Sequence, residues 1–183
     1  LTLDGNLLTV SEHATGLEPN EPHPQHIHGM LGADAPNTTL ATLANDTDHD
    51  GYVNMAEGQA AYGPILIPLS SPPGGALSDF PTAPGGVINF QQTYNLSDSS
   101  VFAPGISESD LFPLTDRVIA IHGLTAPVGV ETGTPGASEV YDPVLPVADG
   151  FIRAVSVPEP SSLALLLVGM AGCWWAARRR RTG

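Results

Sequence analysis

The sequence contains no lysine and a single cysteine. The lone cysteine, Cys173, excludes a disulfide within the chain and carries no information about the redox compartment. All six basic residues are arginines, and four of them are consecutive at 178–181. The first 157 residues therefore hold only two cations, Arg117 and Arg153, against 18 acidic side chains, a formal charge of −16. Such a surface repels nucleic acid and anionic membranes and attracts cations, so nucleic acid is not an expected partner.

Glycine and proline are abundant, at 20 and 18 of 183 residues. This composition favours short elements joined by many turns, and no amphipathic pattern longer than three helical turns is present. Five segments are rich in strand-forming residues: 6–10, 64–69, 87–94, 117–122 and 150–155. Two segments rich in glycine and proline are predicted loops: 70–86 and 124–149. We expect residues 1–156 to form one all-β domain, an antiparallel Greek-key sandwich or barrel.

The C-terminal segment, residues 157–183, has a different character. Residues 163–177 contain no charge or strong polarity, and the four arginines follow at once. A helix over these fifteen residues would span ~22 Å, somewhat less than the ~30 Å hydrocarbon core of a membrane. Because arginine clusters stay on the cytoplasmic side, the C-terminus is expected in the cytoplasm and the domain outside.

The apolar helix is preceded by Pro158, Glu159 and Pro160. A Pro-Glu-Pro motif, an apolar stretch and a terminal arginine cluster resemble the PEP-CTERM sorting signal of Gram-negative bacteria. The resemblance implies that a membrane exosortase recognises and cleaves the tail. Membrane attachment would then be transient and only through the tail, and the domain would reach the cell envelope, the exterior or an exopolysaccharide matrix.

Residues 46–57 follow the pattern D-x-D-x-D-G-x5-E, which is typical of a twelve-residue calcium loop. Calcium takes six to eight oxygen ligands, and the pattern predicts six ligand residues: Asp46, Asp48, Asp50, Tyr52 (through its carbonyl), Asn54 and Glu57. The loop resembles that of the EF-hand family over these twelve residues only, within an expected insertion at 37–63. The expected affinity is that of a structural extracellular site, on the order of 10⁻⁴–10⁻³ M. The alternative is an acidic turn that binds nothing.

Three of the six histidines lie close together, at His23, His26 and His28. If residues 25–28 are extended, His26 and His28 project from one face about 7 Å apart, which suits two ligands of one metal ion. Imidazole favours copper, zinc, nickel or iron over calcium. Binding by neutral imidazoles should weaken as pH falls through about 6.5. Solvated histidines on a strand remain the alternative.

Gly16-Leu17, the His-x-x-His-x-His-Gly segment at 23–29 and the apolar 118–123 segment, ending His122-Gly123, resemble the Cu/Zn superoxide dismutase family. The first two also resemble the CHRD module. The resemblance implies a superoxide dismutase-like fold, copper ligands at His26, His28 and His122, and a structural role for His23. The bridging histidine, the zinc ligands and the disulfide cysteines of that family are missing, and Pro146 stands in place of its anion-guiding arginine.

Three functions follow from these patterns. The first is an exported, calcium-stabilised β-domain with a histidine copper site, acting in the surface or exopolysaccharide layer. The second is an enzyme, a divergent copper-only superoxide dismutase or another copper redox protein. The third is a structural adhesion or matrix module. The −16 charge would steer superoxide away, which disfavours efficient dismutation.

Overall fold

The computed structural model describes residues 1–155, in which seven strands form two antiparallel sheets. The strands are β1 (Thr2–Asp4), β2 (Leu7–Thr15), β3 (Gln25–His28), β4 (Ile65–Pro68), β5 (Val87–Asn95), β6 (Val118–Pro127) and β7 (Glu139–Phe151). One sheet has the order β1-β2-β5, and the other has the order β4-β3-β6-β7.

Helical structure is short in the described part of the chain. The two α-helices are α1 (Met55–Tyr62) and α2 (Glu108–Leu111). The 3₁₀ turns are Gly32–Asn37, Leu43–Asn45, Leu77–Asp79, Pro84–Gly86, Ser99–Val101, Leu114–Asp116 and Val130–Thr132. Within residues 1–155, no helix has both the length and the apolar character needed to cross a membrane. The apolar helix predicted at 163–177 lies outside the described residues.

The main core lies between the faces that the two sheets turn inward. Alternate residues of β2 and β5, such as Leu8 and Ile88, are buried in it, as expected for strands with one solvated face. The second sheet contributes Ile27 from β3, Leu66 from β4 and Ile121 from β6 to the same cluster. The second sheet therefore has one face in the main core and leaves its other face for the elements that connect the strands.

Several predicted strands are confirmed, while one predicted loop is wrong. Segment 87–94 matches β5, and residues 25–28 are extended as β3. The predicted loop 124–149 is largely strand, because β6 continues to Pro127 and β7 begins at Glu139. β7 is the edge strand of its sheet, with β6 on one side only. Prolines such as Pro146 are tolerated there, because on the other side no strand pairs with β7 and no ladder hydrogen bond is lost. The strand expected at 150–155 is only the end of β7, which stops at Phe151.

Arg117 is a buried cation, 1 % exposed, immediately before β6. Its guanidinium donates only to backbone carbonyls, those of Met30, Asp110, Leu111, Phe112 and Asp116. A Cβ at Gly29 would lie 2.9 Å from the Arg117 Nε, so this glycine is required for the close approach. Arg117 thus ties the turn after α2 to the end of β3.

Candidate metal centre

The strand β3 turns His26 and His28 to the outer face of the second sheet. Ile27, between them, is fully buried in the main core. Because successive side chains on a strand point to opposite faces, His26 and His28 project away from that core together. This alternation is the one expected from the sequence.

The neighbouring strand β6 adds His122 to the same face. Ile121 packs into the main core, whereas Val118 and Ala120 belong to a smaller cluster with Tyr62 on the opposite side. His26 pairs with Ala120, and His122 lies two residues further along β6, on the same face as Ala120. The amide of His122 donates to the carbonyl of Pro24 at 2.7 Å. The β6–β7 register shifts on both sides of His122, an irregularity of the kind that re-aims a side chain.

The three histidines converge in one buried group. One ring nitrogen from each lies within 4.8 Å of one nitrogen from each of the others. The ring centroids of His26 lie 5.4 Å from His28 and 5.1 Å from His122, and the side chains are 9 %, 3 % and 4 % exposed in sequence order. An ion about 2 Å from each nitrogen would require the nitrogens to lie within about 3.5 Å of one another. This triad could bind a metal ion.

Backbone carbonyls determine which nitrogens are free. The Nδ1 of His28 lies 3.0 Å from the Gly63 carbonyl oxygen, and the Nδ1 of His122 lies 2.8 Å from that of Val144. A carbonyl only accepts, so in the neutral ring each Nδ1 carries the hydrogen and each Nε2 keeps a lone pair. Within residues 1–155, both Nε2 atoms and the Nδ1 of His26 are buried without a hydrogen-bond partner. Three buried polar nitrogens without partners in one place are costly unless a shared ligand satisfies them.

Burial keeps the three rings neutral. It lowers the pKa of His26 well below its ordinary value, with further lowering from His122 and His28. Burial also lowers the pKa of His28 to about 4, against the opposing hydrogen bond from Gly63, and lowers the pKa of His122. The sequence alone suggested proton competition below about pH 6.5. The structure moves this competition to lower pH for the folded protein.

The helix α1 packs directly against the histidines. Tyr62, its last residue, is 1 % exposed and has its ring centroid 4.4 Å from that of His28. The next residue, Gly63, has φ +85°, and a Cβ there would lie 2.5 Å from the carbonyl oxygen of Gly29 and 2.6 Å from the amide nitrogen of Met30. Only glycine permits this approach, which brings the Gly63 carbonyl to His28.

His23 contacts the backbone of the site but is not one of the three clustered histidines. Its side chain is fully buried, and its two ring nitrogens lie 2.9 Å from the carbonyl oxygen of His122 and 3.0 Å from that of Glu18. The contact with the His122 backbone fixes the strand next to the candidate ligand. This placement agrees with the structural role that the family resemblance implies.

An open cavity of about 550 Å³ adjoins the triad. Its lining includes all three histidines, and most of its other side chains are apolar, among them Met55, Ile65, Leu77, Phe80, Ala103, Pro143 and Val144. An ion held by the histidines would therefore keep a coordination position accessible to small molecules from this side.

The acidic loop forms a second group. Carboxylate oxygens of Asp46, Asp48 and Asp50 lie within 4.8 Å of one another, so this cluster could also bind a cation. The backbone turns toward the carboxylates: Asp46 accepts from the amides of Asp50 and Gly51, and Gly51 has φ +93°. One oxygen of Asp50, Oδ2, is buried without a partner.

The other predicted calcium ligands have different contacts in this structure. Glu57 accepts from the amide and hydroxyl of Thr47 through Oε1, and from the amide of Asn54 through Oε2. Asn54 caps α1 by accepting from the Glu57 amide at 3.0 Å. The Tyr52 side chain packs against the small cluster of Ala126, Val130 and Leu145. The carboxylates of Asp46, Asp48 and Asp50 thus lie together, while the roles predicted for Tyr52, Asn54 and Glu57 stay predictions.

Sequence reasoning did not predict that Glu131 adjoins the loop. Its carboxylate accepts from the amide of Met55 at 3.2 Å. Burial, together with the charges of Asp142, Glu57 and Asp50, raises the pKa of Glu131. The turn that carries Glu131 lies 74 residues after the loop, in a stretch that the sequence marks only as rich in glycine and proline. No local pattern could have placed it here.

Comparison with known proteins identifies the tail. Residues 156–181 match the family model of the PEP-CTERM protein-sorting motif. The C-terminal segment is a PEP-CTERM sorting motif. This motif implies export, processing by an exosortase and sorting to the cell surface. No curated protein and no solved structure matches the chain.

Proposed function

We propose that this PEP-CTERM protein is an exported metal-binding β-domain whose principal site holds one copper ion through His26, His28 and His122. The single observation that carries the proposal is the convergence of three buried, unpartnered ring nitrogens. Two of them are Nε2 atoms directed by carbonyl contacts at Nδ1, an arrangement common among metal-ligating histidines. An all-imidazole site suits copper or zinc and does not suit calcium.

Elemental analysis of protein purified without added metal is the direct test. We expect about one copper per chain, or uptake of one copper when the ion is supplied. His122→Ala should lower copper affinity by at least about tenfold, because it removes one of three ligands. His13→Ala is the matched control, since His13 is an exposed histidine on β2 that lies outside the triad. Equal copper affinity of the His122→Ala variant and the parent would refute the shared site.

The fold supports a more specific family assignment. The order of the histidine-bearing strands, with His26 and His28 on one strand and His122 on its neighbour, supports a Greek-key, superoxide dismutase-like or CHRD-like domain. In this proposal the segment 37–63, between β3 and β4, is the calcium-loop insertion. The domain would end near residue 156, where the sorting tail begins.

The acidic loop at 46–57 is proposed as a structural calcium site. Its support is the D-x-D-x-D-G-x5-E pattern, the three clustered aspartates and the partnerless Asp50 oxygen. Calcium binding would need Glu57 to exchange its contacts with Thr47 and Asn54 for the ion. The expected affinity, on the order of 10⁻⁴–10⁻³ M, is that of calcium sites in extracellular modules.

Copper redox chemistry is the second candidate function, and the open cavity beside the histidines favours it over a purely structural ion. The test is consumption of superoxide by the copper-loaded protein. With a domain charge of −16, any dismutation should speed up as salt screens the repulsion. If copper binds and superoxide is not consumed, the redox function is refuted and the copper-binding β-domain stands. If the protein holds calcium alone, the structural adhesion or matrix module is favoured, with exopolysaccharide as its proposed partner.

A further inference from the structure

The cavity beside the histidines contains more apolar surface than an ion and its water require. It measures about 550 Å³, within the range of pockets that hold small organic molecules. Polar side chains in its lining are few: the three histidines, the hydroxyl-bearing Tyr62, and Gln59. Among residues 1–155, no carboxylate and no cation contributes to the lining.

Three apolar residues of the lining, Met55, Leu77 and Val144, are exposed to solvent. Met55 is 48 % exposed at the start of α1, and Leu77 is 50 % exposed in a 3₁₀ turn. Both belong to the same cavity, with Phe80 buried beside them and its ring centroid 5.2 Å from that of His26. Apolar side chains therefore extend from the edge of the imidazole site to solvent. Exposed apolar surface in a concave, defined pocket indicates a binding site.

We propose that this cavity binds a small neutral molecule that places one nitrogen or oxygen donor on the metal and buries an apolar body against Met55, Leu77 and Phe80. The inference rests on the proposed histidine metal site. A neutral ligand is favoured because the lining side chains carry no charge, and because the domain charge of −16 opposes the attraction of an anion to the copper ion. The donor follows from the proposed metal site, because an ion held by three imidazoles that line the cavity would have room for a fourth ligand on that side.

The test compares imidazole with 4-phenylimidazole, which share a donor and differ by an apolar ring. The full chain, loaded with copper and held in lipid nanodiscs, is titrated with each compound near pH 8, and electron paramagnetic resonance of the bound copper reports ligation. We expect 4-phenylimidazole to bind at least about tenfold more tightly than imidazole, because the phenyl ring leaves water for the apolar lining. Copper content after desalting verifies that the ion stays in the protein.

Leu77→Ser and Met55→Ser should reduce this preference severalfold while leaving imidazole affinity and copper content unchanged. Leu7→Ser is the matched control: Leu7 is 48 % exposed, close to the 50 % of Leu77, but it lies on β2 in the other sheet. The Leu7→Ser variant should keep the full preference for 4-phenylimidazole over imidazole. Because all variants are measured in the same nanodiscs, partitioning of the probe into lipid affects them equally.

The outcomes separate the two proposals. If the chain holds no copper, the proposed function fails and this inference fails with it. If copper is bound but the two probes bind equally, or Leu77→Ser and Leu7→Ser behave alike, the copper site stands and the ligand pocket is refuted. A preference that is lost only in the cavity variants supports the pocket.

Discussion

The Nδ1 of His28 lies 3.0 Å from the carbonyl oxygen of Gly63, the residue that follows helix α1. This contact fixes the ring tautomer, and it also connects the two candidate metal sites. The helix begins beside Asn54, in the acidic loop, and ends at the histidine. Its eight residues lie between the acidic loop and Gly63, whose carbonyl contacts His28.

The first prediction concerns Gly63→Ala. The new Cβ would collide with backbone atoms of Gly29 and Met30, and the positive φ would strain any side chain. We expect a loss of at least about 3 kcal/mol of unfolding free energy, and weaker copper binding because the carbonyl no longer holds His28. Chemical denaturation and copper titration measure the two effects.

Gly5→Ala is the matched control for that substitution. Gly5 has φ +56°, but a Cβ there meets nothing within 4 Å. It should cost only the backbone strain, about 1 kcal/mol, and leave copper affinity unchanged. Equal effects of the two substitutions would show that the close approach at Gly63 does not matter.

The second prediction concerns pH. Burial lowers the pKa of His28 to about 4, whereas an unfolded histidine has a pKa near 6.5. Between these values the unfolded chain binds protons that the folded chain does not, so stability is complete above about pH 6.5 and falls as pH decreases toward 4. One unit below 6.5, His28 alone should cost the metal-free protein about 1.4 kcal/mol.

The measurement is the unfolding free energy of the metal-free protein between about pH 4.5 and 8. Glu12 acts in the opposite direction, because burial raises its pKa to about 7 and its stabilising effect is lost as pH rises. His28→Asn separates the two, since its amide can still donate to Gly63 but does not titrate. A variant with the same pH slope as the parent would contradict the assignment.

Part of this architecture could be predicted from the sequence. The alternation of His26 and His28 around Ile27 indicates one shared face, and the apolar segment ending in His122 indicates a second buried strand. Local patterns of this kind are preserved in the fold because the pleat fixes side-chain direction.

The contacts that hold the site could not be predicted. Gly63 reaches His28, and Glu131 reaches the start of α1, through tertiary packing between segments far apart in sequence. The wrong prediction of a loop at 124–149 has a different cause. Prolines in this segment indicate a loop, but β7 tolerates them because it lies at the edge of its sheet.

The third prediction concerns the sorting tail. Every buried core residue in the described part of the chain lies between Leu8 and Ile152, and Leu1–Arg153 form one compact unit. Removal of residues 157–183 should therefore leave a folded protein with a melting temperature within a few degrees of the parent. Unfolding or aggregation of the truncated chain would contradict this boundary.

Processing should depend on the motif itself. Glu159→Ala should leave the protein in the membrane fraction of the producing bacterium, because Glu159 belongs to the segment that matches the sorting motif. Glu139→Ala, at an exposed position on β7, is the control and should be released normally. Release of both variants at the parental level would show that Glu159 is dispensable for recognition by the exosortase.

The fourth prediction concerns calcium. At an affinity on the order of 10⁻⁴–10⁻³ M, about 10 mM calcium should stabilise the folded state by about 1.4 to 2.7 kcal/mol. For a domain of this size the melting temperature should rise by roughly 3–10 °C.

Asp48→Asn is the sharpest variant for this test. Its Oδ1 can keep the hydrogen bond from the amide of Asp50, now at 3.2 Å, while one negative charge is removed from a cluster of like charges. Without calcium the variant should be at least as stable as the parent, since repulsion is relieved. With calcium most of the melting-temperature gain should be lost, because a charged ligand is missing.

Asp98→Asn is the matched control, because Asp98 is also exposed and accepts from an amide two residues later, that of Ser100 at 2.9 Å. It should retain the full calcium response. If neither the parent nor the Asp98 variant responds to about 10 mM calcium, the loop is an acidic turn without an ion. If both Asp variants respond like the parent, calcium binds elsewhere. Loss of the response in the Asp48 variant alone assigns the ion to the acidic loop that precedes α1.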